Sequence, residues 1–191
     1  MIIAITGYIG TGKTTAAEVF RKKGWHVINV DELGHELLNR PDVKHRLLAE
    51  FGSGVADRKM DIDRKKLAKV VLSDDTKLAF LGKTIHPVMK HELKRRLSDL
   101  QGDVVIDAAL YRRLGIDAFA EKVILIRSDV DKLFERLKPK YTPEQVIRIM
   151  NSQEQPDADY AVDNNEGIEQ LRDRISIIAE ELKQRTASSR D

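Results

Sequence analysis

The sequence contains no cysteine. This absence excludes a disulfide scaffold, a thiolate nucleophile, a cysteine zinc site and an iron–sulfur cluster. Long apolar runs are also missing, because none approaches the roughly 20 residues that a membrane-spanning helix needs. The first residues, MIIAITG, lack the basic start and the long apolar stretch of a signal peptide. We therefore expect a cytoplasmic protein with no membrane partner.

A strong excess of one charge is absent as well. Lys and Arg number 33 and Asp and Glu number 31, which leaves a formal charge of +2. A protein dedicated to nucleic acids usually carries a larger basic excess, so we expect no nucleic-acid partner. Hydrophobic residues make up 41% of the 191 residues, which is enough for one core in a single domain over residues 1–191. The sequence does not fix the oligomeric state, and a monomer is the simplest expectation.

Five short apolar runs predict the strands of a parallel sheet. Each run is almost continuously apolar, as expected for strands that are buried on both faces. Helical patterns alternate with these runs, which indicates repeated strand–helix units. The sequence thus predicts a three-layer α/β fold around a five-stranded parallel sheet, with strands at residues 2–6, 25–30, 104–107, 122–127 and 160–163.

The segment between the second and third predicted strands, at about residues 32–100, is long for a single crossover. It is rich in Lys and Arg. Pro41, Pro87 and the GSG turn at 52–54 predict breaks between several helices. His86 would then stand at the start of a helix, directly before Pro87. We interpret this segment as a helical insert that faces the substrate.

The strongest motif is GYIGTGKT at residues 7–14, which matches the phosphate-binding pattern G-x-x-x-x-G-K-[ST]. It directly follows a predicted strand and opens a predicted helix, as its mechanism requires. The glycines allow a tight turn whose N–H groups face a phosphate, and the helix N-terminus adds a partial positive charge. Lys13 can bridge the β- and γ-phosphates, and the Thr14 hydroxyl can ligate Mg²⁺. An ordinary glycine-rich turn would leave Lys13 opposed to the helix dipole.

Two acids follow predicted strands at the sheet edge where ligands of open α/β sheets bind. Asp107 ends the third strand and could hold Mg²⁺ through water, or it could be the N-cap of a helix from Ala108 onward. Asp31 directly follows the second predicted strand and could accept the proton of an acceptor hydroxyl. It could also be the N-cap of a helix that starts at Glu32. The residues alone leave both choices open.

Two clusters of basic residues can be interpreted either as functional or as ordinary solvent-exposed surface. The first group flanks the loop at residues 139–143 and comprises Arg136, Lys138, Lys140 and Arg148. It fits a mobile lid that closes over a transferring phosphoryl group, or a charged face exposed to solvent. The second fits an anionic acceptor or plain solvation, and comprises Lys83, His86, Lys90, Lys94, Arg95, Arg96, Arg112 and Arg113. Solvation is the favoured interpretation for residues 94–96.

Over about residues 1–175 the chain resembles the dephospho-coenzyme A kinase family. No single late motif carries the resemblance, but the order and spacing of the motifs together are specific. The matching residues are GTGKTT at 10–15, Asp31 with His35, Phe51-Gly52, Asp63-Arg64 with Leu67, Ile85-His86-Pro87, VVID at 104–107, Arg136, Arg148-Ile149 with Gln153, Ala158-Asp159 and Asn164.

The resemblance implies transfer of the ATP γ-phosphoryl group, with Mg²⁺, to the 3′-hydroxyl of dephospho-coenzyme A. This reaction is the last step of coenzyme A synthesis. It also implies a nucleotide-kinase-like P-loop fold with a core, an acceptor-binding helical insert and a lid at about residues 137–144. The implied partners are therefore ATP and dephospho-coenzyme A.

The resemblance also implies roles for individual residues. The catalytic set is Asp31, as general base, with Lys13 and Lys140. Asp31, His86 and Asp107 would contact the acceptor. Thr14 and Asp107 would hold the metal. The implied ATP-binding residues are Gly10, Thr11, Gly12, Lys13, Thr14, Thr15, Arg136, Arg148 and Asn164.

The chain departs from the usual family pattern at several positions. Asn29 stands where the family usually has Asp, Tyr8 replaces Gly, and Lys140 replaces an Arg. The run ALYRR at 109–113 replaces the family's Pro-Leu-Leu-Phe-Glu. The change at 109–113 places two arginines near the expected acceptor site. Two other hypotheses therefore stay open: another nucleotide or small-molecule kinase of the same fold, and a P-loop regulator that binds ATP without transferring phosphate.

Overall fold

The computed structural model describes residues 1–153 and 156–188. Within these ranges five parallel strands form one sheet in the order β2-β3-β1-β4-β5. This confirms the predicted α/β sheet. The strands are β1 (Ile2–Thr6), β2 (His26–Asn29), β3 (Val104–Asp107), β4 (Lys122–Arg127) and β5 (Tyr160–Asp163). Only β2 differs from its predicted bounds, because Trp25 precedes the strand and Val30 already begins a helix.

Both faces of the sheet are buried, because alternate residues of each strand point to opposite sides. Ile3 and Ile5 of β1 are fully buried in one apolar cluster, whereas Ala4 between them belongs to the cluster on the other face. Val105 and Ile106 of β3 divide between the two clusters in the same way. The nearly continuous apolar runs of the sequence therefore reflect a sheet that is covered by helices on both sides.

Eight α-helices lie in the described part of the chain. They are α1 (Lys13–Lys22), α2 (Val30–Leu37), α3 (Pro41–Phe51), α4 (Arg64–Val71), α5 (Asp75–Asp99), α6 (Val130–Leu137), α7 (Pro143–Asn151) and α8 (Ile168–Ser188). Helices α1 and α8 cover one face of the sheet, and α2 to α5 cover the other. Among these residues no helix has both the length and the apolar character that crossing a membrane requires.

The prediction that Pro87 separates two helices is wrong. Pro87 lies inside α5, which continues for 25 residues, and His86 is therefore in the middle of a helix. A proline in a helix interior costs about 3 kcal/mol and deprives the carbonyl four residues earlier, that of Lys83, of its helical partner. Burial of Ile85, Met89 and Leu93 offsets this cost at roughly 1.5–3 kcal/mol for each side chain. Tertiary packing therefore overrides the local break signal.

The carboxyl ends of β1, β2 and β3 meet at one edge of the sheet. Asn29 pairs with Asp107 in the register of β2 and β3, and Ile5 of β1 pairs with Asp107 from the other side. The loop at residues 7–12 leaves β1 at this same edge and leads into α1. The fold therefore brings three chemically important segments together that are distant in sequence.

Candidate active site

The loop at residues 7–12 requires glycine at two positions, because at each of them a Cβ atom would collide with a different neighbouring segment. Gly7 has φ +143°, and a Cβ built there would lie 2.2 Å from the carbonyl oxygen of Ile126 on β4. Gly12 has φ +102°, and its Cβ would lie 2.8 Å from Nδ2 of Asn164 and 2.9 Å from Leu171. Both φ values lie in the region that favours glycine. The glycines of the motif thus allow the loop to approach β4, β5 and α8 closely.

The carbonyl oxygen of Tyr8 holds the loop in its tight form. It accepts hydrogen bonds from Thr11 N (3.3 Å), Thr11 Oγ1 (2.9 Å) and Lys13 Nζ (3.1 Å). Lys13 is buried, and this burial lowers the pKa of its ammonium group, while the negative charges of Asp107 and Asp31 partly oppose that effect. An ammonium group has three donor hydrogens, so Lys13 keeps donor capacity for a phosphate.

Asp107 is the buried carboxylate of the site. Its Oδ2 accepts hydrogen bonds from Thr14 Oγ1 at 2.8 Å and from Asn29 Nδ2 at 3.2 Å. Burial raises the pKa of Asp107 to about 6, although the nearby charge of Lys13 and the hydrogen bond from Thr14 oppose the rise. No helix begins at Ala108, directly after Asp107, so the alternative role as an N-cap is wrong.

Asn29 links the ends of β2 and β3, a role that the sequence did not predict. Its Oδ1 accepts a hydrogen bond from the Glu32 N–H at 3.0 Å and caps α2. The N-cap is therefore Asn29, and the alternative role of Asp31 as N-cap is wrong. Because the Asn29 side chain also donates to Asp107, an ionised Asp at this position would replace a donor with a second negative charge. Asp31 itself is exposed in the first turn of α2.

Four of the predicted ATP-binding residues meet at the loop. Arg136 on α6 donates hydrogen bonds to the carbonyl oxygens of Gly10 (3.3 Å) and Asn164 (2.8 Å). The Asn164 side chain donates to the Thr11 carbonyl oxygen at 2.8 Å. The Oδ1 atom of Asn164 is buried and has no hydrogen-bond partner among the described residues. It is therefore an acceptor available beside the loop.

The other predicted residues of the first basic group do not reach this loop. Arg148 on α7 forms an ion pair with Asp75 on α5, with 2.6 Å between Nη1 and Oδ1. Lys140 is exposed after the end of α6, and no side-chain contact connects it to the described residues of the loop. Instead, Gln153 beyond α7 accepts a hydrogen bond from the Ile9 N–H at 2.9 Å. Gln153 belonged to the family resemblance, but nothing in the sequence indicated this contact.

A cleft beside Asp31, which we call the Asp31 cleft, has a volume of about 400 Å³. Its apolar wall includes Leu67, Ile85 and Met89. Its polar lining is Asp31, His35, Arg64, His86, Arg113, Tyr141 and Ser152.

A second cleft of about 990 Å³ lies between α5 and α7, and we call it the α5–α7 cleft. Its charged lining is Asp75, Lys83, Lys90, Arg113, Glu144 and Arg148. Both clefts are lined by His86 and Arg113, and by Leu78, Gly82 and Ser152. They therefore adjoin each other along about two turns of α5, from Leu78 to His86.

The two histidines of the Asp31 cleft favour the neutral form. Burial lowers the pKa of His86, and the positive charge of Arg113 lowers it further. Burial and Arg64 lower the pKa of His35, while Asp31 and Glu32 partly oppose them. A neutral imidazole offers one donor and one acceptor, so both side chains suit a hydrogen-bonded ligand better than a purely ionic one.

The structure divides the second basic group. Arg95 forms ion pairs with Glu92 (2.7 Å) and Asp99 (2.8 Å), and Arg96 pairs with Glu92 (3.1 Å) and with Glu36. The solvated interpretation is therefore confirmed for Arg95 and Arg96. In contrast, the clefts are lined by Lys83, His86, Lys90 and Arg113.

Sequence comparisons with known proteins agree on one family. The sequence model of the dephospho-CoA kinase family matches residues 1–170. A dephospho-CoA kinase of Fusobacterium nucleatum is 30% identical over 192 residues, which cover 95% of this chain and 98% of the relative. The match therefore extends over nearly the whole of both chains.

Solved structures share the fold. A Thermus thermophilus crystal structure aligns with a TM-score of 0.70 and 27% identity, covering 94% of this chain and 97% of the other. A dephospho-CoA kinase from Campylobacter jejuni aligns with a TM-score of 0.65 and 18% identity, covering 97% and 98% of the two chains. At 18% identity, the similarity to the Campylobacter jejuni structure shows a shared fold. With the family match over residues 1–170, the chain belongs to the dephospho-CoA kinase family.

Proposed function

We propose that this member of the family transfers the γ-phosphoryl group of ATP to the 3′-hydroxyl of dephospho-coenzyme A. One observation carries the proposal: the P-loop with Lys13, the carboxylate of Asp107 and the rim of the Asp31 cleft meet at one edge of the sheet. Asp107 and Asp31 both lie close enough to Lys13 to influence its pKa. A phosphate donor and a hydroxyl acceptor can therefore approach each other from two sides of Lys13.

The P-loop would bind the donor. Its backbone N–H groups and the N-terminus of α1 face a phosphate in the known mechanism of this motif. The Lys13 ammonium, which now donates to the Tyr8 carbonyl oxygen, would turn its remaining hydrogens to the β- and γ-phosphates. Because Lys13 is buried, its attraction to developing negative charge is stronger than it would be in water.

The residues beside Lys13 fit a hard divalent cation. Thr14 Oγ1 and Asp107 Oδ2 lie 2.8 Å apart and are both suitable metal ligands. Mg²⁺ prefers oxygen ligands and keeps several coordination positions for water and phosphate. No group of three or more acidic or imidazole side chains that could hold a metal is present in the described residues, which suits a cation shared with a nucleotide. When bound, Mg²⁺ neutralises charge on the β- and γ-phosphate oxygens.

Asp31 would act on the acceptor. As the new bond forms between the acceptor oxygen and the γ-phosphorus, the hydroxyl proton would pass to the Asp31 carboxylate. The bond between the γ-phosphorus and the β-phosphate oxygen breaks, and ADP leaves. Residues 137–144 run from the last residue of α6, the helix that carries Arg136, into the first turn of α7, and in this proposal they serve as a lid that excludes water.

The experiment that tests the function is a Mg-ATP turnover assay with a panel of acceptors. The panel contains dephospho-coenzyme A, adenosine, AMP and shikimate, and mass spectrometry identifies each product. Coenzyme A formed far faster than any other product would support the proposal. Transfer to a different acceptor alone would support another kinase of this fold. ATP binding without any transfer would support a regulator.

The role of Asp31 has a sharper test. Asp31→Asn should reduce turnover at least about 100-fold, because the amide cannot accept the hydroxyl proton, while ATP affinity should remain nearly the same. Glu32→Gln is the matched control, since Glu32 is the exposed neighbour of Asp31 on α2 and lines neither cleft. Equal turnover in Asp31→Asn and Glu32→Gln would remove Asp31 from the mechanism.

A further inference from the structure

The junction between the two clefts is built around Arg113. This arginine stands in the loop after β3 and lines both the Asp31 cleft and the α5–α7 cleft. Across the junction, His86 of α5 also lines both clefts, and the positive charge of Arg113 contributes to the lowered pKa of His86. A ligand that extends from one cleft to the other must therefore pass Arg113.

Arg113 is without a hydrogen-bond or ion-pair partner among the described residues. It forms no hydrogen bond or ion pair with any residue in the described ranges, and neither do Lys83 and Lys90, which line the α5–α7 cleft beside it. Arg148 in the same cleft is neutralised by Asp75 at 2.6 Å. The remaining carboxylate of the lining is Glu144. In the described chain, the α5–α7 cleft thus has three cations without an ion-pair partner and one acid without one.

The position of Asp31 determines which part of the acceptor lies at the junction between the two clefts. If the 3′-hydroxyl of the acceptor faces Asp31, its ribose lies in the Asp31 cleft, and the apolar wall there suits the adenine base. The 5′ substituent of the same ribose is then one sugar ring away from Asp31. In dephospho-coenzyme A this substituent is a diphosphate, which continues into the pantetheine arm. The larger cleft between α5 and α7 has the volume for that arm.

We infer that Arg113 binds the 5′-diphosphate of the acceptor and thereby selects an acceptor that carries it. The inference rests on the proposed function and deepens it. Arginine suits this task, because its planar guanidinium can form paired hydrogen bonds with phosphate oxygens. Lys83 and Lys90 add positive charge beyond it, and neutral His86 can hydrogen-bond without a second fixed charge. The Arg at this position, where the family usually has Glu, would then be a gain of anion binding in this chain.

Arg112 provides the matched control. It is chemically identical to Arg113, adjacent in sequence and exposed, yet it lines neither cleft. A general effect of positive charge on a negatively charged substrate would be similar for the two arginines. A specific contact with the diphosphate would depend on Arg113 alone.

The test compares Arg113→Ala, Arg113→Lys and Arg112→Ala at saturating Mg-ATP. Arg113→Ala should raise KM for dephospho-coenzyme A about 10- to 100-fold, the usual effect of losing charge-assisted hydrogen bonds. KM for ATP should not change. Arg113→Lys should recover part of the loss, since it keeps the charge without the paired geometry. Arg112→Ala should match the wild type.

Adenosine separates a diphosphate contact from a general change in the cleft. At saturating ATP, its inhibition constant against dephospho-coenzyme A should be the same in the wild type and in Arg113→Ala, because adenosine has no diphosphate. An equal weakening of both ligands would overturn the inference, and so would an unchanged KM for dephospho-coenzyme A in Arg113→Ala. Calorimetric binding of dephospho-coenzyme A to each variant repeats the comparison without turnover. Wild-type protein that binds this ligand but forms no coenzyme A would overturn the proposed function instead.

Discussion

The P-loop and the α5–α7 cleft differ in the burial and the hydrogen bonding of their charged side chains. At the P-loop, Lys13 and Asp107 are both buried, and each has hydrogen-bond partners within the protein. In the α5–α7 cleft, Arg113, Lys83 and Lys90 are exposed and have no such partners in the described chain. One region fixes its charges before a ligand arrives, whereas the other leaves them free to be neutralised by a ligand.

This difference follows from what each region must do. Stabilising a short-lived distribution of charge requires donors that are already in position and shielded from water. Binding a long, flexible acceptor requires complementary charge, for which exposed and adaptable side chains are sufficient. Substitutions near the P-loop should therefore affect turnover and folding, whereas those in the α5–α7 cleft should affect mainly the affinity for the acceptor.

Lys13→Ala should give the largest loss of activity. It removes a buried cation from the position where phosphate charge develops, so kcat should fall at least about 100-fold and KM for ATP should rise as well. Steady-state kinetics with Mg-ATP measures both values. Lys22→Ala, at the exposed end of the same helix, is the control and should retain wild-type kinetics. A Lys13→Ala variant with full activity would contradict the assignment of the P-loop.

Gly12→Ala should destabilise the folded chain by crowding the P-loop. A methyl group there meets Asn164 and Leu171 within 3 Å at a φ of +102°, so we expect a loss of about 2–4 kcal/mol in the free energy of unfolding. Denaturant titration measures it. Gly54→Ala is the control, because nothing lies within 4 Å of the added group and its φ is not in the left-handed region. Equal stability of the two variants would show that the loop tolerates more than its geometry implies.

The buried carboxylate of Asp107 should make stability depend on pH. Burial raises its pKa to about 6 in the folded chain, so between about pH 4 and pH 6 the folded chain binds the proton more tightly than the unfolded chain does. This contribution favours folding at low pH and is lost as the pH rises through about 6. It amounts to at most about 3 kcal/mol. The comparison variant is Asp107→Asn, which cannot ionise.

Thermal unfolding without nucleotide measures this effect. The Tm of the wild type relative to Asp107→Asn should fall as the pH rises from about 4 to about 7. A Tm difference that is constant over this range would contradict the raised pKa.

The sequence was most informative where function and structure are local. Four of the five strands have their predicted bounds because each is a continuous apolar run that ends at a polar or glycine residue. The P-loop was recognisable because residues 7–14 are consecutive and phosphate binding requires their particular spacing. The positions of Asp31 and Asp107 at one edge followed from a rule about parallel sheets.

The rest depends on contacts between distant segments. Arg148 and Asp75 are 73 residues apart, and Gln153 and Ile9 are 144 apart, so no local pattern could reveal either pair. Nothing in the sequence separates Arg112 from Arg113. Only the path of the loop after β3 places one of them in the clefts and leaves the other outside.

Arg148 should show the smallest effect and is the most direct test of the contrast between the two regions. The family resemblance assigns Arg148 to ATP, whereas the structure pairs it with Asp75, whose side chain is 82% exposed. Such an exposed pair contributes less than about 1 kcal/mol, so Arg148→Ala should leave both the free energy of unfolding and KM for ATP close to their wild-type values. Asp75→Asn is the matched control, because it removes the pair and keeps the arginine. A large rise in KM for ATP in Arg148→Ala alone would mean that α7 leaves Asp75 and moves Arg148 onto the nucleotide during turnover.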